Sequence, residues 1–260
     1  MPRIDPVNRS VTTLQGLHLY HSGWSNCSMR VRMTLAEKGL TWTSHHLDTR
    51  SGEHVTREYF GINPNGVVPT LVHDGVVWIE SNDIIRYLDE RFPEPRLAPA
   101  AQHDRERWAR WTRLADEVHV PGVKTFMYCS FPLEKRRKSP ADLDTYRQLQ
   151  HNRQLLAFHT RNSSTASFTS QECRAAEDLL HRAFAQLDQH LGSCRWLAGD
   201  AFSLADITWI PLHFTLARAG FSFAQHDNLV KWSEAVAARA SFNEAVVAWY
   251  AGPPASLAQP

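Results

Sequence analysis

The chain has 260 residues, 43% of them hydrophobic and 21% charged, which excludes intrinsic disorder and suffices for one large domain or two small ones. A formal net charge of +1 gives no field to gather nucleic acid or an anionic membrane surface. No apolar run approaches the roughly 18 residues of a membrane span, and residues 1–16 lack the apolar core of a signal peptide, so a soluble cytoplasmic protein is expected, with neither nucleic acid nor membrane as partner.

Residues 17–20 alternate apolar and polar and predict a first strand, followed by a loop over 21–27. A helix is predicted over 28–38, with Val31, Leu35 and Ala36 as its apolar face and Gly39 at its end. Residues 40–47 read as a second strand, 56–60 as a short helix and 63–66 (Asn-Pro-Asn-Gly) as a turn. An apolar run over 67–72 is interrupted by Pro69. Asp74-Gly75 then predicts a tight hairpin, because both residues tolerate positive φ, with 76–79 as the partner strand. A helix over 81–91 carries Ile84, Ile85 and Leu88 on one face and completes a β-α-β-α-β-β-α order.

The proline-rich stretch 92–99 marks a boundary. Beyond it every pattern is helical: 105–120, 141–159, 173–191, 203–219 and 229–250, with a Ser/Thr-rich loop over 162–170. The expected units are an extension (1–16), an α/β domain (17–92), a linker (93–100) and an all-helical domain (101–260). Cys27, Cys129, Cys173 and Cys194 include no CxxC pair, and the 14 histidines form no HExxH, so neither a disulfide framework nor a structural metal is expected. The basic run at 135–138 reads as a solvated helix end or loop.

Four places carry candidate chemistry. Pro69 inside a strand pattern is either an edge feature or a cis bond that turns the Val68 backbone outward, where it can pair with a ligand's peptide groups. Glu80-Ser81 lies at a strand end and a helix start; Ser81 can cap the helix, and the positive pole there suits a bound carboxylate. In Ser25-Asn26-Cys27-Ser28 a hydroxyl or thiol meets another helix N-terminus. That pole and a donated hydrogen bond both stabilise a bound thiolate, while the structural alternative is capping by Asn26 or Ser28. The run 199–207 is a helix start, with Ser203 and Asp206 as a capping-box variant and Phe202 and Ile207 as a hydrophobic staple.

Taken in order, these segments resemble the glutathione transferase superfamily over residues 17–250. The resemblance is carried by SNCSMRVRMTLAEKGL (25–40), GEHVTREYFGINPNGVVPTL (52–71), ESNDIIRYLDERFP (80–93) and GDAFSLADI (199–207). It implies a thioredoxin-like N-terminal domain that binds glutathione, an all-α C-terminal domain that forms the second-substrate pocket, and a homodimer. Pro69 matches the family's cis-proline, with Val68 pairing the cysteinyl part of glutathione. Glu80 and Ser81 match the γ-glutamyl anchor, His54 the contact to the glycyl carboxylate, and Asn26 joins the glutathione set. Ser25 falls where serine-type members stabilise the thiolate.

The Ser-x-Cys-Ser run is also similar to zeta (maleylacetoacetate isomerase-like) members and to reductive dehalogenases of chlorinated hydroquinones, which implies a catalytic part for Cys27, with Ser28 as a third candidate. Residues 131–191 separate the first long helix from the capped one, and part of this stretch looks like an insertion, a layout similar to the bacterial β-aryl-etherases. It implies a bulky aromatic electrophile with Trp24, Trp111, His119, Phe126 and Tyr128 around it; for the tryptophans and Phe126, core packing is the alternative. The expected reaction is attack of the glutathione thiolate on a carbon bearing a leaving group, an aryloxide or a halide. Thiol–disulfide, dehalogenase or isomerase chemistry and a non-enzymatic glutathione-binding module stand as alternatives.

Overall fold

The structure is a computed structural model that describes residues 3–131, 139–163 and 168–250. The basic run at 135–138 lies outside the described residues, as do residues 164–167 of the Ser/Thr-rich loop.

The N-terminal half is a five-stranded sheet of order β1-β5-β4-β2-β3, built from Arg3–Ile4 (β1), Leu17–His21 (β2), Thr43–His46 (β3), Thr70–His73 (β4) and Val76–Trp78 (β5). β2 and β3 run parallel and are joined by helix α1 (Asn26–Glu37), whereas β4 and β5 form the predicted antiparallel hairpin. Asp74 and Gly75 both take positive φ (48° and 78°), as a two-residue turn of this hand requires. The alternation read in β2 is a two-sided burial: Leu17 and Leu19 pack with Met29, Val31 and Leu35 of α1, while Tyr20 meets Tyr59 of α2 (Arg57–Phe60) on the opposite face. The extension joins this sheet: β1 pairs with β5, Arg3 opposite Trp78 and Ile4 opposite Val77. The second strand is shorter than the predicted 40–47 because Leu40 and Trp42 pack sideways on the core before pairing begins at Thr43.

Helix α3 (Ser81–Arg91) lies beside α1 on the same sheet face and leads into the linker. A buried ion pair fixes that linker. Lys38 Nζ meets Asp89 Oδ1 at 2.7 Å and donates to the carbonyls of Phe92 and Pro95, while the Asp89 carboxylate accepts the backbone N–H of Leu97 and of Ala98.

The C-terminal half is helical: α4 (Gln102–Val118), α5 (Thr125–Ser130), α6 (Pro140–Leu149), α7 (Arg153–Asn162), α8 (Ser170–Leu191), α9 (Leu204–Arg218), α10 (Asp227–Ala237), α11 (Ala240–Phe242) and α12 (Ala248–Tyr250). Helix α9 is buried over most of its surface and packs on α1, α4 and α10. Its start is the capping box read from the sequence: Ser203 Oγ and the Asp206 carboxylate each accept a backbone N–H across the first turn. Asp206 also accepts Leu197 N–H and Trp232 Nε1–H, so its burial is matched by hydrogen bonds. Phe202, read as half of a staple, lies edge-on to Trp196 and under the Arg239 guanidinium.

Three expectations are corrected here. The helix predicted over 141–159 is two helices, because Gln150 turns out of the pattern to donate to Asn65 O and the Asn152 side chain caps α7. The stretch 229–250 breaks after Ala237, and a wide π-helical turn, Asn243–Val247, separates α11 from α12. A disulfide joins Cys129 of α5 to Cys173 of α8, 44 residues apart, against the expectation of none; the packing of α5 on α8 creates the pair.

Candidate functional site

The site is built around the N-terminus of α1. The helix starts at Asn26, two residues earlier than predicted, and its cap is Ser25, not Asn26 or Ser28: Ser25 Oγ accepts the Ser28 backbone N–H at 3.1 Å. That bond uses the oxygen, and no acceptor for the Ser25 hydroxyl hydrogen occurs among the described residues. Ser28 is fully buried, and its Oγ accepts the Ser22 N–H, so its side chain points inward. Ser25, Asn26 and Cys27 are half-buried at the surface of the same turn.

Two buried arginines support this turn from behind. Arg32 donates to Ser22 O, Gly23 O and Ala245 O and meets His21 Nδ1 at 3.1 Å. Burial pulls its pKa down to about 9. The loop it holds passes so close to the Trp249 carbonyl that a Cβ on Gly23 would lie 2.1 Å from that oxygen. Arg30 donates from Nε to Thr208 O and from Nη1 to Ser81 Oγ; its buried Nη2 has no hydrogen-bond partner among the described residues.

The Val68–Pro69 peptide is cis. Just before it, Val67 O accepts from Tyr59 Oη and Asn63 Nδ2, a buried pair that also engages Thr70 Oγ1. Glu80 has φ 65° and occupies the cap position of α3, with no side-chain cap bond. Ser81, expected as a possible cap, is instead the first helical residue and is buried over Arg30. Partial desolvation, then Cys27, Asp83 and Asp116, hold the Glu80 carboxyl above the usual carboxylate range. His54 sits half-buried between β3 and α2.

The residues expected around a second substrate are scattered, and only one of them meets Cys27. His119 comes to the site: its Nε2 lies 3.8 Å from Cys27 Sγ. Burial, then Lys124 and Arg30, hold its pKa down at about 3, so the ring is neutral. Trp111 is 1% exposed in the helical core, where its carbonyl accepts Trp209 Nε1–H, so it does not line the seam between the two halves. Phe126 packs edge-on against the buried Phe221. Tyr128 joins Phe158 and Phe168 in a half-buried aromatic group. Trp24 lies edge-on to Tyr250 with the Arg50 guanidinium 3.3 Å from its ring centre.

The sequence reading missed Lys124. Helix α4 does not run on to 120 but opens at Val118 into a π-helical turn, His119–Lys124, containing Pro121 and Gly122. Pro121 has no N–H for the regular ladder, and Gly122 packs tightly enough on α8 that a Cβ would lie 3.0 Å from Leu180 Cδ2. His119 and Lys124 stand at the two ends of this turn. The Pro-Gly pair inside a helical pattern was the available signal. Among the described residues, no group of three or more His, Cys, Asp or Glu side chains could hold a metal ion, and no helix is long and apolar enough to cross a membrane.

A thioredoxin-like sheet domain, a cis X-Pro bond before its antiparallel hairpin and a helical second half together define the glutathione S-transferase fold. The chain belongs to the glutathione S-transferase superfamily: residues 24–91 match the model of the glutathione S-transferase N-terminal domain and residues 128–240 that of the C-terminal domain. Membership implies glutathione as co-substrate. Particular relatives include glutathione S-transferase TCHQD of Arabidopsis thaliana, 25% identical over 250 residues (91% of each chain). Protein LigF of Sphingobium sp. strain SYK-6 is 29% identical over 241 residues, 88% of this chain and 92% of LigF. The crystal structure of LigF, described as a beta-etherase, superposes with a TM-score of 0.79 at 26% identity, covering 89% of this chain and 98% of that one. Maleylacetoacetate isomerase of Pseudomonas aeruginosa is 28% identical over 235 residues, 88% of this chain and 95% of that protein.

Proposed function

We propose that this protein is a glutathione transferase of the serine type, with Ser25 as the donor that holds the glutathione sulfur as a thiolate. The observation that carries this reading is the state of the Ser25 hydroxyl: its oxygen is fixed by the Ser28 N–H and its hydrogen is left to give. The positive pole of α1 adds to the same effect. Glutathione's other groups have counterparts. The α3 N-terminus at Ser81, with the Arg30 guanidinium directly beneath and one of its nitrogens unsatisfied, suits the γ-glutamyl carboxylate, and Glu80 suits the ammonium beside it. The Val68 backbone, Asn26 and His54 complete the proposed binding set. When bound, glutathione supplies the nucleophile. Ser25 lowers the thiol's pKa and the two halves of the chain hold both reactants close.

The substrate is an electrophile with an aromatic portion and a leaving group; β-aryl ether cleavage, the activity named for LigF, is the specific form proposed. A homodimer working in the cytoplasm, with domain limits at 17–92 and 101–260, belongs to the same proposal. Calorimetry with glutathione and a steady-state assay with a chromogenic electrophile test it. Absence of binding at millimolar glutathione would remove it.

A second reading rests on a specific contact. Cys27 Sγ lies 3.8 Å from His119 Nε2, and a thiol beside an imidazole can exchange with a glutathionyl sulfur. Mass spectrometry after incubation with oxidised glutathione decides it: a single glutathionyl adduct on Cys27 supports thiol-dependent chemistry, and an unmodified Cys27 removes it.

A further inference from the structure

The seam between the two halves contains a cation with no ion-pair partner among the described residues. Lys124, at the end of the π-helical turn, is half-buried, and among the described residues no carboxylate lies within ion-pair distance of its ammonium. Desolvation lowers its pKa, and the charges that bear on it are Cys27 and Glu80 across the seam. His119, at the other end of the turn, is neutral, and Asp116 and Arg30 act on that histidine. The ammonium also stands 5.9 Å from the ring centre of Phe158 on α7. Phe158 in turn lies 5.5 Å from Tyr128 and 5.9 Å from Phe168, so half-buried aromatic faces border the cation.

A desolvated, unpaired ammonium calls for an anion, and an aromatic border calls for a ring. We propose that Lys124 is the receiving group for an aromatic oxygen that is anionic or becomes so in the reaction, the aryloxide released from the second substrate. In the function proposed above the sulfur has its own stabilisers, Ser25 and the α1 terminus, which leaves the lysine for the departing group. In the step proposed, the C–S bond forms as the C–O bond breaks and the bonding electron pair leaves on the oxygen. The Lys124 ammonium hydrogen-bonds that oxygen and gives it a proton, and the amine regains one from solvent. His119 is neutral, and a neutral imidazole is too weak an acid to protonate this oxygen. This assignment rests on the transferase reading only for the reaction step; the binding of an aryloxide does not depend on it.

The first test therefore needs no turnover. 4-Nitrophenol is titrated into the protein, and the visible absorbance of the phenolate reports its ionisation on the protein. In wild type the bound phenol's pKa is expected to fall by about one unit, and in Lys124→Met the fall is abolished with about tenfold weaker phenolate binding. A shift that persists in Lys124→Met, or no shift in wild type, overturns the proposal. The second test compares aryl ethers whose phenols differ in acidity with a benzyl halide, whose leaving group needs no proton. The loss in kcat/KM caused by Lys124→Met should be at least tenfold larger for the ethers and should grow as the phenol becomes less acidic; equal losses overturn the leaving-group role. Glutathione calorimetry on the variant checks that the fold and the thiol site persist. Should wild type turn over no electrophile while the nitrophenol shift depends on Lys124, the transferase reading fails and the aryloxide site stands.

Discussion

Replacing Ser25 by alanine separates two contributions that a single side chain makes. The first is structural: Ser25 Oγ accepts the Ser28 N–H at 3.1 Å as the cap of α1, and its loss costs about 1 kcal/mol of stability. The second belongs to the bound thiol. A hydrogen bond to a charged acceptor contributes about 1.5–3 kcal/mol, and 1.36 kcal/mol corresponds to one pKa unit, so the glutathione thiol on the variant should ionise roughly one to two units higher. At a pH below both ionisations, turnover falls by the thiolate fraction, about 10- to 100-fold; at a pH above both, the two proteins converge. The assay is a pH profile of kcat/KM for a chromogenic electrophile, supported by the thiolate absorbance of bound glutathione. Ser25→Thr, which keeps both bonds, should retain the low midpoint. A Ser25→Ala protein that binds glutathione with an unmoved midpoint would refute this reasoning and transfer the role to Cys27 or to the helix terminus alone.

Asp89→Asn removes the charge opposite the buried Lys38 ammonium and sets an NH2 against a backbone N–H of Leu97 or Ala98, and should cost about 3–5 kcal/mol in urea unfolding; a loss under 1 kcal/mol would contradict the buried pair. Opening the Cys129–Cys173 link, by reductant or by a double serine variant, frees a 44-residue loop and should lower stability by about 2–4 kcal/mol, while identical unfolding curves with and without reductant would show the link to be absent in solution. His213 is held neutral by burial, its pKa down at about 4. The folded-state value lies below the unfolded one, so this contribution is complete above pH ~6.5 and is lost as the pH falls toward about 4. His213→Phe should remove about 2–3 kcal/mol of that pH dependence, measured as the difference in unfolding free energy between the two ends of the window.

What was legible in the sequence is what local chemistry decides. Asp74-Gly75 must turn, and it closes the hairpin; Ser203 and Asp206 have only one geometry that serves both, and they adopt it. Ser25, the Val68–Pro69 pair and Glu80-Ser81 all lie at element ends, where capping or a strand-edge proline explains each alone; as a proposed site they were legible only together, through the family resemblance. Details set by through-space packing were not. Cys129 and Cys173 meet only because α5 docks on α8. Glu80, and not Ser81, takes the cap position because the strand has to turn sharply there before Ser81 can sit over Arg30, a partner 51 residues away. Lys124 was hidden because the apolar pattern runs on to residue 120, and Pro121-Gly122 signals a break there without telling that the ladder opens at Val118 and brings Lys124 to the site.

Arg30 and Arg32 tie the proposed thiol site to the helical half. Two residues apart on α1, they point to different sides of the helix, and each gives one hydrogen bond to the C-terminal domain: Arg30 to Thr208 O of α9, Arg32 to Ala245 O in the second π-helical turn. Their remaining bonds go to the site, Arg30 to Ser81 and Arg32 to the carbonyls just before Ser25. Neither has a carboxylate within ion-pair distance among the described residues, so backbone carbonyls carry much of the compensation for burying these charges. If the helical half were removed, each guanidinium would lose its deepest partner and become hydrated, and the two segments it fixes would be released together. Ser25 and Ser81 are therefore held in register by the docking of α9 and the C-terminal turns on α1, and the geometry of the proposed thiol site belongs to the whole chain.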